Sequence, residues 1–119
     1  MLIQLLKSKI HCATVTSADL NYQGSISIDR ALLECSKIVP WERVDIYNVT
    51  NGARFSTYAI EGAPGEITLN GAAARCVAVG DKIIIASYGT LEESAAAEHQ
   101  PTIILVDGQN RPLASGETV

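Results

Sequence analysis

The residue types able to do chemistry are sparse in this chain of 119 residues, and most of their spacings exclude the common sites. His11 and His99 stand alone, with no pair of carboxylates beside either at a familiar metal-ligand spacing. Cys12, Cys35 and Cys76 contain no Cys-x-x-Cys pair, so neither a disulfide framework nor a zinc site is expected, and they read as buried small hydrophobes. No Gly-x-Ser-x-Gly turn presents a hydrolase serine, and no glycine-rich loop cradles a phosphate. A lysine-based motif for pyridoxal phosphate is not evident. What remains are hydroxyls and cations, none at a spacing that by itself marks a site. An arginine fork can grip a carboxylate through two parallel hydrogen bonds, and a lysine offers a further cation.

Composition narrows the partners. A net charge of −4 with no lysine or arginine run argues against nucleic acid, because phosphate binding needs clustered cations. The longest apolar runs, such as Ile83–Ala86 and Ile103–Val106, are of strand length, so no membrane segment is expected. The N-terminus lacks a secretory cleavage site and reads as a mature cytoplasmic start. One domain spanning residues 1–119 is expected, and any further site-building must come from self-association.

The elements that must position these residues read mostly as strands. Residues 10–17 are rich in β-branched side chains, and Ser25–Asp29 alternates at period two. Asp29 can cap a helix from Arg30 to about Lys37, which Pro40 would stop. Residues 44–50 and 53–60 flank Asn51-Gly52, a pair suited to the two positive φ angles of a type I′ hairpin turn. Further strands are predicted at Glu66–Leu69, Lys82–Tyr88 and Thr102–Val106, a glycine-alanine turn at Asn70–Ala74, and a short surface helix at Leu91–Glu98. Six or seven short strands favour an all-β fold closed into a small barrel, since closure removes sticky edges.

The segment from Lys9 to Asp29, which contains His11, Tyr22 and Gly24-Ser25, resembles the processing region of pyruvoyl-dependent aspartate 1-decarboxylases. Asp45–Ile60, Asn70-Gly-Ala-Ala-Ala74 and Val79–Ser87 resemble that family in order and spacing, so the likeness covers residues 1 to about 90. It implies a double-psi β-barrel, a homotetramer in the bacterial cytoplasm, and conversion of L-aspartate to β-alanine and CO2 for pantothenate synthesis. It also implies a chain cut between Gly24 and Ser25, giving fragments 1–24 and 25–119, in some members with a maturation partner.

Each residue's implied role has a chemical reason. Losing CO2 leaves a carbanion, so an electron sink conjugated to the amine is needed; a pyruvate-type carbonyl made from Ser25 would meet that need through an imine. No metal is implied. The Ser25 hydroxyl would attack the Gly24 carbonyl, where glycine lacks a hindering Cβ and can hold strained backbone. Thr57 matches a position that stabilises the oxyanion at Gly24 and touches substrate, and Tyr58 matches the proton donor to Cα. Lys9, Arg54, Thr57 and the Asn70, Gly71, Ala72, Ala73 turn would bind substrate, with Arg54 holding the side-chain carboxylate that stays. Tyr47 stands where some members carry tryptophan.

Strand alternation puts Arg54, Ser56 and Tyr58 on one face and Thr57 on the other, a tension that a bulge or a site shared between subunits would resolve. The alternative from another class is a non-catalytic double-psi barrel binding module, which would stay one intact chain on a denaturing gel.

Overall fold

The computed structural model describes residues 1–113. Eight strands carry the described residues: β1 Leu2–Thr14, β2 Ser17–Asp19, β3 Ser25–Asp29, β4 Arg43–Asn48, β5 Arg54–Gly62, β6 Ile67–Asn70, β7 Lys82–Glu92 and β8 Thr102–Leu105. One α-helix, α1 Arg30–Ser36, and short 3-10 helices at Gly71–Cys76 and Glu93–Glu98 complete it. The fold is therefore all-β as expected, with eight strands rather than six or seven. The extra one, β2, is three exposed residues, too short to show a period.

All eight form one sheet in the order β2-β6-β3-β5-β4-β7-β1-β8. Three pairs, β1/β8, β2/β6 and β3/β5, are parallel, so the sheet is no simple meander. Ile10 of β1, Ile26 and Ile28 of β3, Val44 and Ile46 of β4, Ile67 and Leu69 of β6 and Ile85 of β7 are all fully buried in one cluster. Strands from near opposite ends of the order thus share one core, and the sheet must curl around it as a small barrel does. Just past β1, the backbone N–H of Val15 donates to O of Asp81, the residue before β7, and that of Thr16 to Ile67 O at the start of β6. The outermost strands β2 and β8 are not paired with each other, so the expected closure is incomplete.

Local chemistry accounts for the departures from the sequence pattern. Asp29 caps α1 by accepting the Ala31 N–H at 2.7 Å, but the helix ends at Lys37 in the left-handed conformation (φ 63°), three residues before Pro40 could stop it. The β4–β5 hairpin forms with register Arg43↔Tyr58 to Tyr47↔Arg54. Its turn is not type I′: only Gly52 has positive φ, at 80°. Instead Asn48 Oδ1 accepts the N–H groups of Thr50 and Asn51, and the Asn48 N–H donates to Ala53 O, closing a four-residue loop over residues 49–52. Leu91 and Glu92, expected in a helix, continue β7 against Ile3 and Leu2 of β1. The three cysteines are half-buried rather than buried.

Candidate active site

Ser25 opens β3 directly opposite Asn70, the last residue of β6. Both are buried, at 1% and 3% exposure. Asn70 Nδ2 donates to Ser25 Oγ at 2.9 Å and to Ser27 Oγ at 3.1 Å, while Ser25 Oγ lies 3.5 Å from Gln23 O, turned back along the chain. Immediately after Asn70, Gly71 takes φ +63°, and a Cβ there would sit 2.8 Å from both Cα and N of Gly24. Glycine at 71 is therefore what lets this turn press on the Gly24 backbone. Gly24 itself differs from expectation: its φ is not in the left-handed region, and an added Cβ would meet nothing within 4 Å. Neither backbone strain nor packing demands glycine at 24 in this state.

Tyr58 joins this group by register. β3 and β5 run parallel from Ile26↔Ala59, two core residues, so Ser25 and Tyr58 each stand one step earlier, on the face turned from the core. The Tyr58 ring stacks on Trp41 with centroids 5.6 Å apart. Thr57 faces the other way, opposite the buried Val44, and the β4/β5 register runs unbroken past it. A bulge therefore does not bring Thr57 round to Ser25. Of the Asn70–Ala74 turn, Ala74 is buried, Ala73 packs half-buried against the core, and Ala72 is exposed.

The two cations lie elsewhere. Arg54 is four residues from Tyr58 along β5, about 13 Å at strand rise. Lys9 pairs with Ala86 of β7, and β1 is four strand spacings from β3, about 19 Å along the sheet. Arg54 is exposed, with its guanidinium 4.1 Å above the Tyr47 ring. Tyr47 is fixed in turn: its hydroxyl is 2.8 Å from that of Tyr88 and 3.4 Å from Asp45 Oδ2. The hydrogen bond with Tyr88, backed by burial and by negative charge on Asp45, pushes the Tyr47 phenol up to about 12. Asp45, Tyr47, Arg54, Phe55 and Ser56 line a hollow of about 260 Å³ here. A larger polar hollow of about 450 Å³ lies over the other group, lined by Tyr22, Ser27, Thr68 and Asn70 among others.

The structure thus unites Gly24, Ser25, Asn70, Gly71 and, by register, Tyr58, and leaves Arg54 and Lys9 apart. Ser27 and Tyr88 escaped the sequence reading. Ser27 had a signal, since period-two alternation places it on the face of Ser25; Tyr88 had none, because its partner is 41 residues away.

Comparison with known proteins gives the family. The profile of the aspartate decarboxylase family matches residues 1–113, beyond the residue-90 limit of the motif likeness. The chain is 54% identical over 114 residues to an aspartate 1-decarboxylase of Syntrophobacter fumaroxidans, covering 94% of this chain and 92% of that one. It is 60% identical over 109 residues to one from a Hydrogenobaculum species, covering 92% and 87%. A Bdellovibrio bacteriovorus aspartate 1-decarboxylase is 57% identical over 111 residues, covering 93% and 90%. With a matching profile across all the described residues, this chain belongs to the aspartate decarboxylase family.

Proposed function

We propose that this protein is a carboxy-lyase that converts L-aspartate to β-alanine and CO2, using a carbonyl it makes by cutting itself between Gly24 and Ser25. The observation that carries the reading is the buried Ser25 hydroxyl, held by Asn70 and turned back toward the segment that precedes it. In the first step Ser25 Oγ bonds to the Gly24 carbonyl carbon, the Gly24–Ser25 C–N bond breaks, and the hydroxyl proton passes to the released nitrogen. The ester then eliminates: Ser25 Cα loses a proton, the Gly24 carboxylate leaves Cβ, and water replaces ammonia on what remains. No outside oxidant or cofactor is consumed.

The residues fit a pyruvoyl group, because Ser25 supplies its three carbons and Asn70 offers an amide donor in a buried place. That group supplies the electron sink that loss of CO2 requires. Tyr58 is placed on the same face to deliver a proton to Cα. Arg54 suits the carboxylate that stays, since a tight ion pair to the departing one would oppose reaction. Arg54 lies about 13 Å from Tyr58 along its own strand, and a cation lent by a neighbouring copy would complete the site. A site shared between copies is in keeping with the homotetramer that the family likeness implies. Thr57, facing the core, reaches the reaction only from a rearranged or neighbouring chain. No helix among the described residues is long and apolar enough to cross a membrane. Supply of β-alanine for pantothenate in the cytoplasm is the role that fits.

Intact mass and a denaturing gel test the reading together. Wild type is expected to give fragments 1–24 and 25–119, the second with a blocked N-terminus, and Ser25→Ala should remain one inactive chain. Turnover of aspartate by Ser25→Ala would refute the assignment.

A further inference from the structure

Ser27 has no part in the cleavage or decarboxylation steps above, yet it is bound to the same amide as the serine that does the cutting. Asn70 Nδ2 carries two hydrogens and spends them on two hydroxyls, Ser25 Oγ at 2.9 Å and Ser27 Oγ at 3.1 Å. Ser27 is 8% exposed and Asn70 3%, so water has little access to replace either bond. Both serines lie on one face of β3, at a period-two spacing, and each stands opposite a β6 residue: Ser25 across from Asn70, Ser27 across from Thr68.

From this arrangement we infer that Ser27 is a positioning residue for self-cleavage: by holding the second N–H of Asn70 it fixes the amide that orients Ser25 Oγ toward the Gly24 carbonyl. The inference rests on the reading that Ser25 cuts the chain. Without the Ser27 acceptor, a buried N–H is left unpaired and the amide gains reason to rotate. Ser25 then returns to sampling its other staggered rotamers, and fewer of its conformers lie near attack. Once cutting is complete Ser25 Oγ is gone, so the same contact matters less to turnover. A hydroxyl in the right place is what counts, and threonine supplies one.

The test follows cleavage of freshly purified full-length chain by intact mass, alongside turnover of aspartate per cleaved chain. Ser27→Ala should cleave more slowly by on the order of tenfold, with turnover per cleaved chain changed less than about threefold. Ser27→Thr should cleave within about threefold of wild type. Should Ser27→Ala fail to fold, Ser27→Val against Ser27→Thr decides, because the pair differs only by a methyl for a hydroxyl. Cleavage of Ser27→Ala or Ser27→Val at the rate of Ser27→Thr overturns the inference, as does an equal loss of turnover per cleaved chain, which would mark general damage. Cleavage of Ser25→Ala, by contrast, would sink the underlying reading itself, and an uncut wild type would remove both.

Discussion

Two regions of one sheet face carry the candidate chemistry, and they are built in opposite ways. Around Ser25 the polar groups are buried, mutually hydrogen-bonded and clamped by the Gly71 turn on the Gly24 backbone. Around Arg54 the charge is exposed and laid over Tyr47, at the far end of the strand next to that of Ser25. The difference follows from what each must do. Cleavage of a chain by its own hydroxyl is unimolecular, so every group can be assembled in advance. Capture of a charged substrate needs cations that water and a neighbouring chain can reach.

Substitutions that separate cutting from capture test the contrast. Gly71→Ala should have the largest effect, because a Cβ at φ +63° would lie 2.8 Å from Gly24 Cα and N. Forcing that conformation on alanine, with the clash added, should slow cleavage by roughly a hundredfold or more, read as persistence of uncut chain in intact mass. Normal cleavage in Gly71→Ala would mean that the turn does not clamp the scissile segment.

Arg54→Lys should show the reverse profile. It keeps the charge and loses the fork, so kcat/KM for aspartate on fully cut protein should fall roughly ten- to a hundredfold while cutting proceeds at the wild-type rate. An amino acid without the side-chain carboxylate should lose little. An unchanged ratio between the two substrates would assign Arg54 to the carboxylate they share.

The smallest effect belongs to Tyr88→Phe, which removes the hydroxyl 2.8 Å from that of Tyr47. Ultraviolet titration of tyrosinate should show the Tyr47 transition move from about 12 back toward the ordinary 10. Because the folded phenol ionises later than the unfolded one, its contribution to stability is whole below pH 10 and fades as pH rises through about 12. The variant should therefore be less stable than wild type below pH 10, and the gap should close as pH rises through about 12. KM for aspartate should rise a few-fold as Arg54 loses its fixed platform, on the order of a cation–π contact.

Legibility divided along similar lines. The β3 strand, the Asp29 cap and the β4–β5 hairpin could be read because their causes are local: alternation, one side-chain acceptor, and a loop rich in asparagine and glycine. The hairpin's turn type could not, because Val49 donates to Lys82 O from across the sheet and Asn48 reaches Asp81. The first half of β1 was missed because it is a ribbon only partly covered, with Leu2 and Gln4 exposed, so no period forms. Of the site, Ser25 and Asn70 were found as separate motifs, but their contact spans 45 residues and appears only when β3 pairs with β6. The distance of Lys9 from them depends on strand order, to which no local pattern is sensitive.

The placement of β1 would make the proposed cut a point of no return for folding. Residues 1–24 include β1, whose register against β7 runs from Leu2↔Glu92 to Thr14↔Lys82 and which also pairs with β8, and β2, which pairs with β6. Cut as proposed, this segment would be a separate polypeptide that stays an interior strand of the sheet, held by backbone hydrogen bonds and by Ile10 and Ala13 in the core. An unfolded intact chain can refold alone, whereas an unfolded cut one must first find its lost strand, so recovery becomes second order in protein. Such a molecule must complete its fold before it cuts, and afterwards its survival depends on how slowly it opens rather than on how well it refolds.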